Sequence, residues 1–170
     1  MLKSFIHLWG ILMITLFSTA SICNKSDDTQ LQSPSLIGKW QLSFTEIDAI
    51  KLDGEVFNFS DPAITGNPVY WEFFDNGIMK ASEGNSAPVE SNWELKIERL
   101  TPDGLGIDKG KLTLTGSYAD QVKTALELES LVYSVERSGG SDNFMTLYVK
   151  PNNLSSSFSE VTISYLYLKI

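Results

Sequence analysis

The sequence predicts an all-β fold, an antiparallel barrel of about eight to ten strands. Apolar and polar residues alternate with period two in several separate runs, most clearly Trp40, Leu42 and Phe44 against Gln41, Ser43 and Thr45. Turn-forming clusters divide those runs at short intervals: Asp61-Pro62, Gly66-Asn67-Pro68, Asp75-Asn76-Gly77 and Pro102-Asp103-Gly104. No long stretch carries the 3.6-residue period of a helical domain.

The chain opens with a different pattern. Lys3 is followed by an almost wholly apolar stretch from Phe5 to Phe17, then by the small residues Ser18, Thr19, Ala20 and Ser21. A charge, an apolar run and small residues in that order make a secretory signal, and the run is short for a membrane-spanning helix. Residues 1–22 therefore read as a signal peptide. Ser18-Thr19-Ala20 fits one cleavage site, which would release a soluble periplasmic or secreted protein. Ala20-Ser21-Ile22-Cys23 resembles the signal of bacterial lipoproteins, in which Cys23 is acylated and becomes the first mature residue. Ile22 stands where that signal has Gly, Ala or Ser. Cys23 is the sole cysteine of the chain, so it has no intrachain disulfide partner. Residues 23–35 are mostly polar and read as a flexible tether. Within them Lys25-Ser26-Asp27-Asp28 resembles the acidic export signal of surface lipoproteins in Bacteroidetes. This resemblance implies an outer-membrane lipoprotein of the cell envelope, displayed at the surface, with fatty chains such as palmitate holding Cys23 in the bilayer.

Residues 36–170 form the predicted barrel domain. The first strand runs from Leu36 through Thr45, and a short one follows near Glu55 to Phe59. Val69 to Phe74 is dense in aromatics, with Trp71 and Phe73 on one face and Tyr70 and Phe74 on the other. Asn76-Gly77 then predicts a tight hairpin into Ile78-Met79-Lys80, both turn residues tolerating positive φ. Trp93, Leu95 and Ile97 alternate with polar neighbours, as do Leu112 and Leu114. Val122, Ala125 and Leu126 have helical spacing, so a short helix is expected over 120–129 with Asp120 as its N-cap. Leu131, Tyr133 and Val135 return to alternation. Gly139 to Asn143 reads as a turn, and Phe144 to Val149 and Val161 to Ile170 as closing strands.

Composition excludes several functions. Acidic residues outnumber basic ones, 21 to 13, with no basic stripe, which argues against nucleic acid as a partner. The single histidine is His7, inside the signal, and the single cysteine is Cys23. The barrel domain thus has neither imidazole nor thiol for a nucleophile–base pair or a His/Cys zinc site. Asp103 and Asp108 lack the spacing of a calcium loop. No phosphate-binding loop is present. No catalytic residue, metal or cofactor is expected, and the chain reads as a non-enzyme.

Gly38-Lys39-Trp40 resembles the Gly-x-Trp start of the lipocalins, and Phe73-Phe74-Asp75-Asn76-Gly77 resembles a hairpin common in bacterial lipocalin-like domains. Trp93 and the run Tyr165-Leu166-Tyr167-Leu168-Lys169 are in keeping with them. The family often carries an Arg on its last strand against the first-strand Trp; the nearest candidate here is Lys169. The resemblance implies a calycin-type barrel that holds a small apolar or amphipathic ligand, with Trp40 plugging one end. The candidate ligand-lining residues are Phe44, Trp71, Phe73, Trp93, Leu95 and Ile97. The alternative is a solid barrel that serves interaction at the cell envelope through its loops or the aromatic run Tyr70 to Phe74. Oligomeric state has no signal in the sequence.

Overall fold

The computed structural model describes residues 36–63, 67–100, 107–138, 143–152 and 157–170. The expected signal, Cys23, the tether, Asp103 and the turn at Pro102-Asp103-Gly104 lie outside the described residues, as does most of the turn at Gly139 to Asn143.

Nine strands and one helix make up the described domain: β1 (Gly38–Lys51), β2 (Val56–Pro62), β3 (Val69–Phe73), β4 (Ile78–Glu83), β5 (Val89–Arg99), β6 (Ile107–Thr115), α1 (Ser117–Leu126), β7 (Leu131–Ser138), β8 (Phe144–Val149) and β9 (Phe158–Lys169). Every neighbouring pair is antiparallel. β3 to β9 follow one another around the wall, and β1 closes it by pairing with both β3 and β9. The result is a closed barrel of eight strands with β2 as a ninth, outside the ring. Closure leaves no open edge within the ring.

β1 is the hinge of this arrangement. Its first part, Gly38 to Gln41, pairs with β3. Its second part, Phe44 to Ile50, pairs with β2 instead, while β9 runs along its other edge from Trp40 to Lys51. Between Leu42 and Phe44 the register against β9 shifts, so Ser43 is an extra residue. A bulge of this kind inverts the facing of everything after it. Leu42 lies opposite Tyr167 and points inward, whereas Phe44 lies opposite Leu166 on the outer face. The strict alternation expected from the sequence would have kept Phe44 beside Trp40 and Leu42.

The inward faces are continuous across the wall. Trp71 and Phe73, Met79 and Ala81, Leu112 and Leu114, Leu131, Tyr133 and Val135, Met145, Leu147 and Val149, and Tyr167 form one buried cluster with Trp40 and Leu42. The β3–β4 turn differs from expectation. Gly77 alone takes positive φ, at 79°; its N–H donates to the Phe74 carbonyl, and Phe74 N–H donates to the Ile78 carbonyl. This is a three-residue loop with Gly77 in the left-handed position, and Asn76 serves by accepting from Ile78 N–H through its side chain.

The helix begins three residues earlier than its local sequence suggests. Gly116 is its N-cap and offers no side-chain oxygen, and Asp120 lies in the first turn. The cap comes from the neighbouring strand: Ala119 N–H donates to Ser91 Oγ on β5 at 3.1 Å, both residues being buried. Glu127, in the left-handed conformation with φ 51°, ends the helix. Through Ala119, α1 packs on the β5–β7 side of the barrel.

Candidate functional site

The barrel interior is organised around Trp71, which is 1% exposed. Its ring lies 6.0 Å from Phe73, 5.7 Å from both Tyr118 and Tyr133, and 4.9 Å from Tyr167. The first three contacts are edge-to-face, the geometry that aromatic quadrupoles favour. Phe73 continues the chain of rings to Trp93 at 5.4 Å, and Tyr133 extends it to Tyr165 at 6.2 Å.

These rings leave a gap. A cavity of about 190 Å³ lies against Trp71, walled by Leu42, Val122, Tyr133, Tyr165 and Tyr167, with Val69 and Tyr118 completing it. Val69 and Tyr118 also border a second, more open cleft of about 310 Å³ formed with Ala81, Glu83, Val89 and Gln121. Tyr118, near the start of α1, therefore stands between the inner cavity and the outer cleft. Most small-molecule sites measure roughly 300–1,000 Å³, so the inner cavity alone suits a small guest.

The polar groups of the inner cavity are neutral donors. Burial pushes the Tyr118 phenol up to about 12, with the nearby Trp71 indole N–H opposing the rise and the Tyr165 phenol adding to it. Burial raises Tyr133 further, reinforced by Tyr118 and Tyr165, and likewise holds Tyr165 and Tyr167 up. All four phenols are protonated at neutral pH. Trp71 Nε1 lies near the Tyr118 oxygen without reaching hydrogen-bonding geometry, and it has no hydrogen-bond partner. A buried donor left so costs about 1–3 kcal/mol. No charged side chain lines the inner cavity, and the outer cleft has a single carboxylate, Glu83.

The six residues expected to line a ligand site separate in the structure. Trp71 borders the cavity. Phe73 is buried edge-to-face against Trp71 and does not border the cavity. Trp93 is half-buried and is fixed by its indole N–H, which donates to the carbonyls of Phe74 and Ile78 at 3.1 Å each. Leu95 and Ile97 face inward opposite Leu112 and Gly110, away from the cavity. Phe44 is on the outer face, for the reason given by the bulge at Ser43. The residues that sequence reasoning missed are Tyr118, Tyr133, Tyr165 and Tyr167. Three of them occupy inward positions of alternating strands, and that shared parity was the available signal; Tyr118 precedes the segment in which a helix was expected.

Trp40 lies opposite Trp71 on β1 but does not line the cavity. Its indole N–H donates to the Leu36 carbonyl at 2.7 Å. Lys169 Nζ lies 5.4 Å from its ring centroid, and the guanidinium of Arg137, a residue 3% exposed, lies at 5.7 Å. The cation on the last strand is thus a lysine, and an arginine reaches the same ring from β7. The aromatic run Tyr70 to Phe74 is not an exposed patch. Trp71 and Phe73 are buried, and the outward Tyr70 and Phe74 are half-buried, with Lys39 and Lys80 at 4.4 Å and 5.6 Å from their rings. Among the exposed apolar residues, Leu52, Val56, Phe57 and Phe59 lie together on β2 and the β1–β2 turn, and others such as Ile107 and Phe144 lie elsewhere on the surface.

Among the described residues, no three His, Cys, Asp or Glu side chains converge in a way that could hold a metal, and no helix is long and apolar enough to cross a membrane. No family model, curated protein or solved structure matches the chain.

Proposed function

We propose that the protein is a lipid-anchored, lipocalin-like carrier or receptor of the cell envelope that binds a small apolar or amphipathic molecule inside its barrel. The observation that supports this reading is the gap beside Trp71. A barrel built solely as a scaffold gains by filling its interior, since close packing adds dispersion contacts and removes voids. Here the aromatic wall remains open at about 190 Å³ and adjoins an outer cleft. Burial of apolar ligand surface against such walls would supply roughly 25 cal/mol per Å². Attachment at Cys23 follows from the resemblance to lipoprotein signals; it would confine the barrel to a membrane surface.

Native mass spectrometry of the gently purified protein tests the carrier reading. A retained small molecule, or uptake of an apolar probe, is the expected result; a barrel that neither retains nor takes up any apolar molecule would refute it. The anchor has its own test. Cys23→Ala should move the protein from the membrane fraction to the soluble one, and an unchanged distribution would exclude acylation.

A second reading, interaction with a protein or glycan of the envelope, is favoured by one observation. Phe57 and Phe59 are 46% and 50% exposed on β2, and solvent-facing aromatics are frequent contact residues. Crosslinking on whole cells through β2 separates the two: a captured macromolecule with an empty barrel supports this reading over the first.

A further inference from the structure

We propose that the cavity beside Trp71 selects an uncharged, flat ligand carrying a hydrogen-bond acceptor such as a ketone or quinone oxygen, and that the Trp71 indole N–H donates to that oxygen. The inference rests on the carrier reading and specifies the ligand class for the same site.

Trp71 Nε1 supplies the first constraint. An indole nitrogen donates and cannot accept, and the Tyr118 oxygen beside it is out of hydrogen-bonding geometry, so its missing partner must be another acceptor. Buried polar side-chain atoms in folded proteins are nearly always paired, and an unpaired one calls for a ligand, ion or water. This nitrogen belongs to a residue that is 1% exposed and borders the cavity.

Charge supplies the second constraint. A carboxylate or phosphate in the inner cavity would find no lysine or arginine among the lining residues. Entering by the outer cleft, it would also pass Glu83. Burying an anion without a counter-charge is strongly unfavourable. A cation fares no better inside, because the inner lining has no carboxylate. The four phenols, held protonated by burial, can donate to an acceptor without adding charge.

Shape supplies the third. Trp71, Tyr133, Tyr165 and Tyr167 make the lining mostly aromatic, and aromatic walls pack well on a planar guest. Tyr118 borders both spaces, and the helix that bears it is tied to β5 by the Ala119–Ser91 hydrogen bond. Entry from the cleft therefore passes the Tyr118 ring.

Three probes of nearly one shape isolate the acceptor and the charge: acetophenone, ethylbenzene and benzoate. The full chain in mild detergent is titrated with each, following the Trp71 indole N–H resonance. Acetophenone should bind about tenfold tighter than ethylbenzene, the usual magnitude for one buried hydrogen bond, and should shift the indole proton downfield. Benzoate should bind more weakly than either. Trp71→Phe should cut the preference for acetophenone over ethylbenzene several-fold while both still bind, the phenols supplying what remains; an unchanged preference would overturn the assignment of the donor to Trp71. If that variant does not fold, the wild-type indole shift decides the matter alone. Equal affinities for acetophenone and ethylbenzene without an indole shift would overturn the acceptor assignment and leave the carrier reading intact, as would preferred binding of benzoate. Failure of all three probes to bind would overturn both.

Discussion

The barrel body and the β1–β2 extension share one strand, yet they are built on opposite terms. In the body, Trp40 and Leu42 of β1 meet Trp71 and Tyr167 and lose nearly all contact with water. A few residues on, the same strand pairs with β2, all seven of whose residues are exposed. Phe57 and Phe59 lie opposite Ala49 and Ile47, on the face that continues the barrel interior beyond the bulge. Backbone pairing is equally good in both regions; what separates them is a second layer. A sheet face becomes core when another face or a helix covers it, and aromatic content alone does not achieve that.

This contrast is open to test at several sites. The largest effect should come from alkali. The body holds four buried phenols whose ionisation burial suppresses, while β2 has no tyrosine. Unfolded tyrosines ionise near 10, and the folded Tyr118 near 12. Between those values the folded state binds more protons than the unfolded one, so stability falls as pH rises through that window and is unaffected below it. Phenolate absorbance should appear in one cooperative step with loss of the far-ultraviolet β signal; gradual ionisation with the fold intact would show that the phenols are open to water. Next in size is Trp40→Ala, which should remove about 3–5 kcal/mol in urea denaturation, because a large ring, its indole hydrogen bond and its two cation contacts go together. Gly110→Ala comes third. A Cβ there would lie 2.7 Å from the Lys96 carbonyl oxygen, a backbone atom beside the β5–β6 register shift, so about 1–3 kcal/mol should be lost. Ser91→Ala should cost about 1 kcal/mol and raise hydrogen exchange at Ala119 selectively, since α1 loses its cap from β5. At the bottom, Phe57→Ser should change stability by no more than about 0.5 kcal/mol. A loss as large as that of Trp40→Ala would mean that β2 is covered in solution.

The sequence pattern reveals the body better than its details. Alternation in Trp93 to Ile97, in Leu112 to Leu114 and in Leu131 to Val135 is enough to infer an all-β wall, because period two has one common geometric meaning. The bulge at Ser43 escapes such reading: one extra residue leaves composition unchanged while turning Phe44 outward. The start of α1 escapes it too, because its cap is a serine 28 residues away in the chain, on the strand paired with β6. Phe57 and Phe59 alternate much as Trp93 and Leu95 do, and nothing local says that one pair will be covered and the other left in water. The cavity is least legible of all. It depends on what the side chains around Trp71 fail to fill, and that is a property of their joint placement.

Joining β1 to β9 has a consequence for the order of events in folding. The seam runs from Trp40 opposite Lys169 to Lys51 opposite Phe158, so the longest contact in the molecule links its two most separated strands. A chain delivered amino end first keeps β1 waiting, with one edge unzipped, until the last strand emerges. Wall segments such as β3–β4 and β5–β6 can zip locally in the meantime, but the ring itself closes as a final, slow act. A chain truncated before β9 would leave that edge of β1 without its partner strand, an open ribbon prone to pair with other chains.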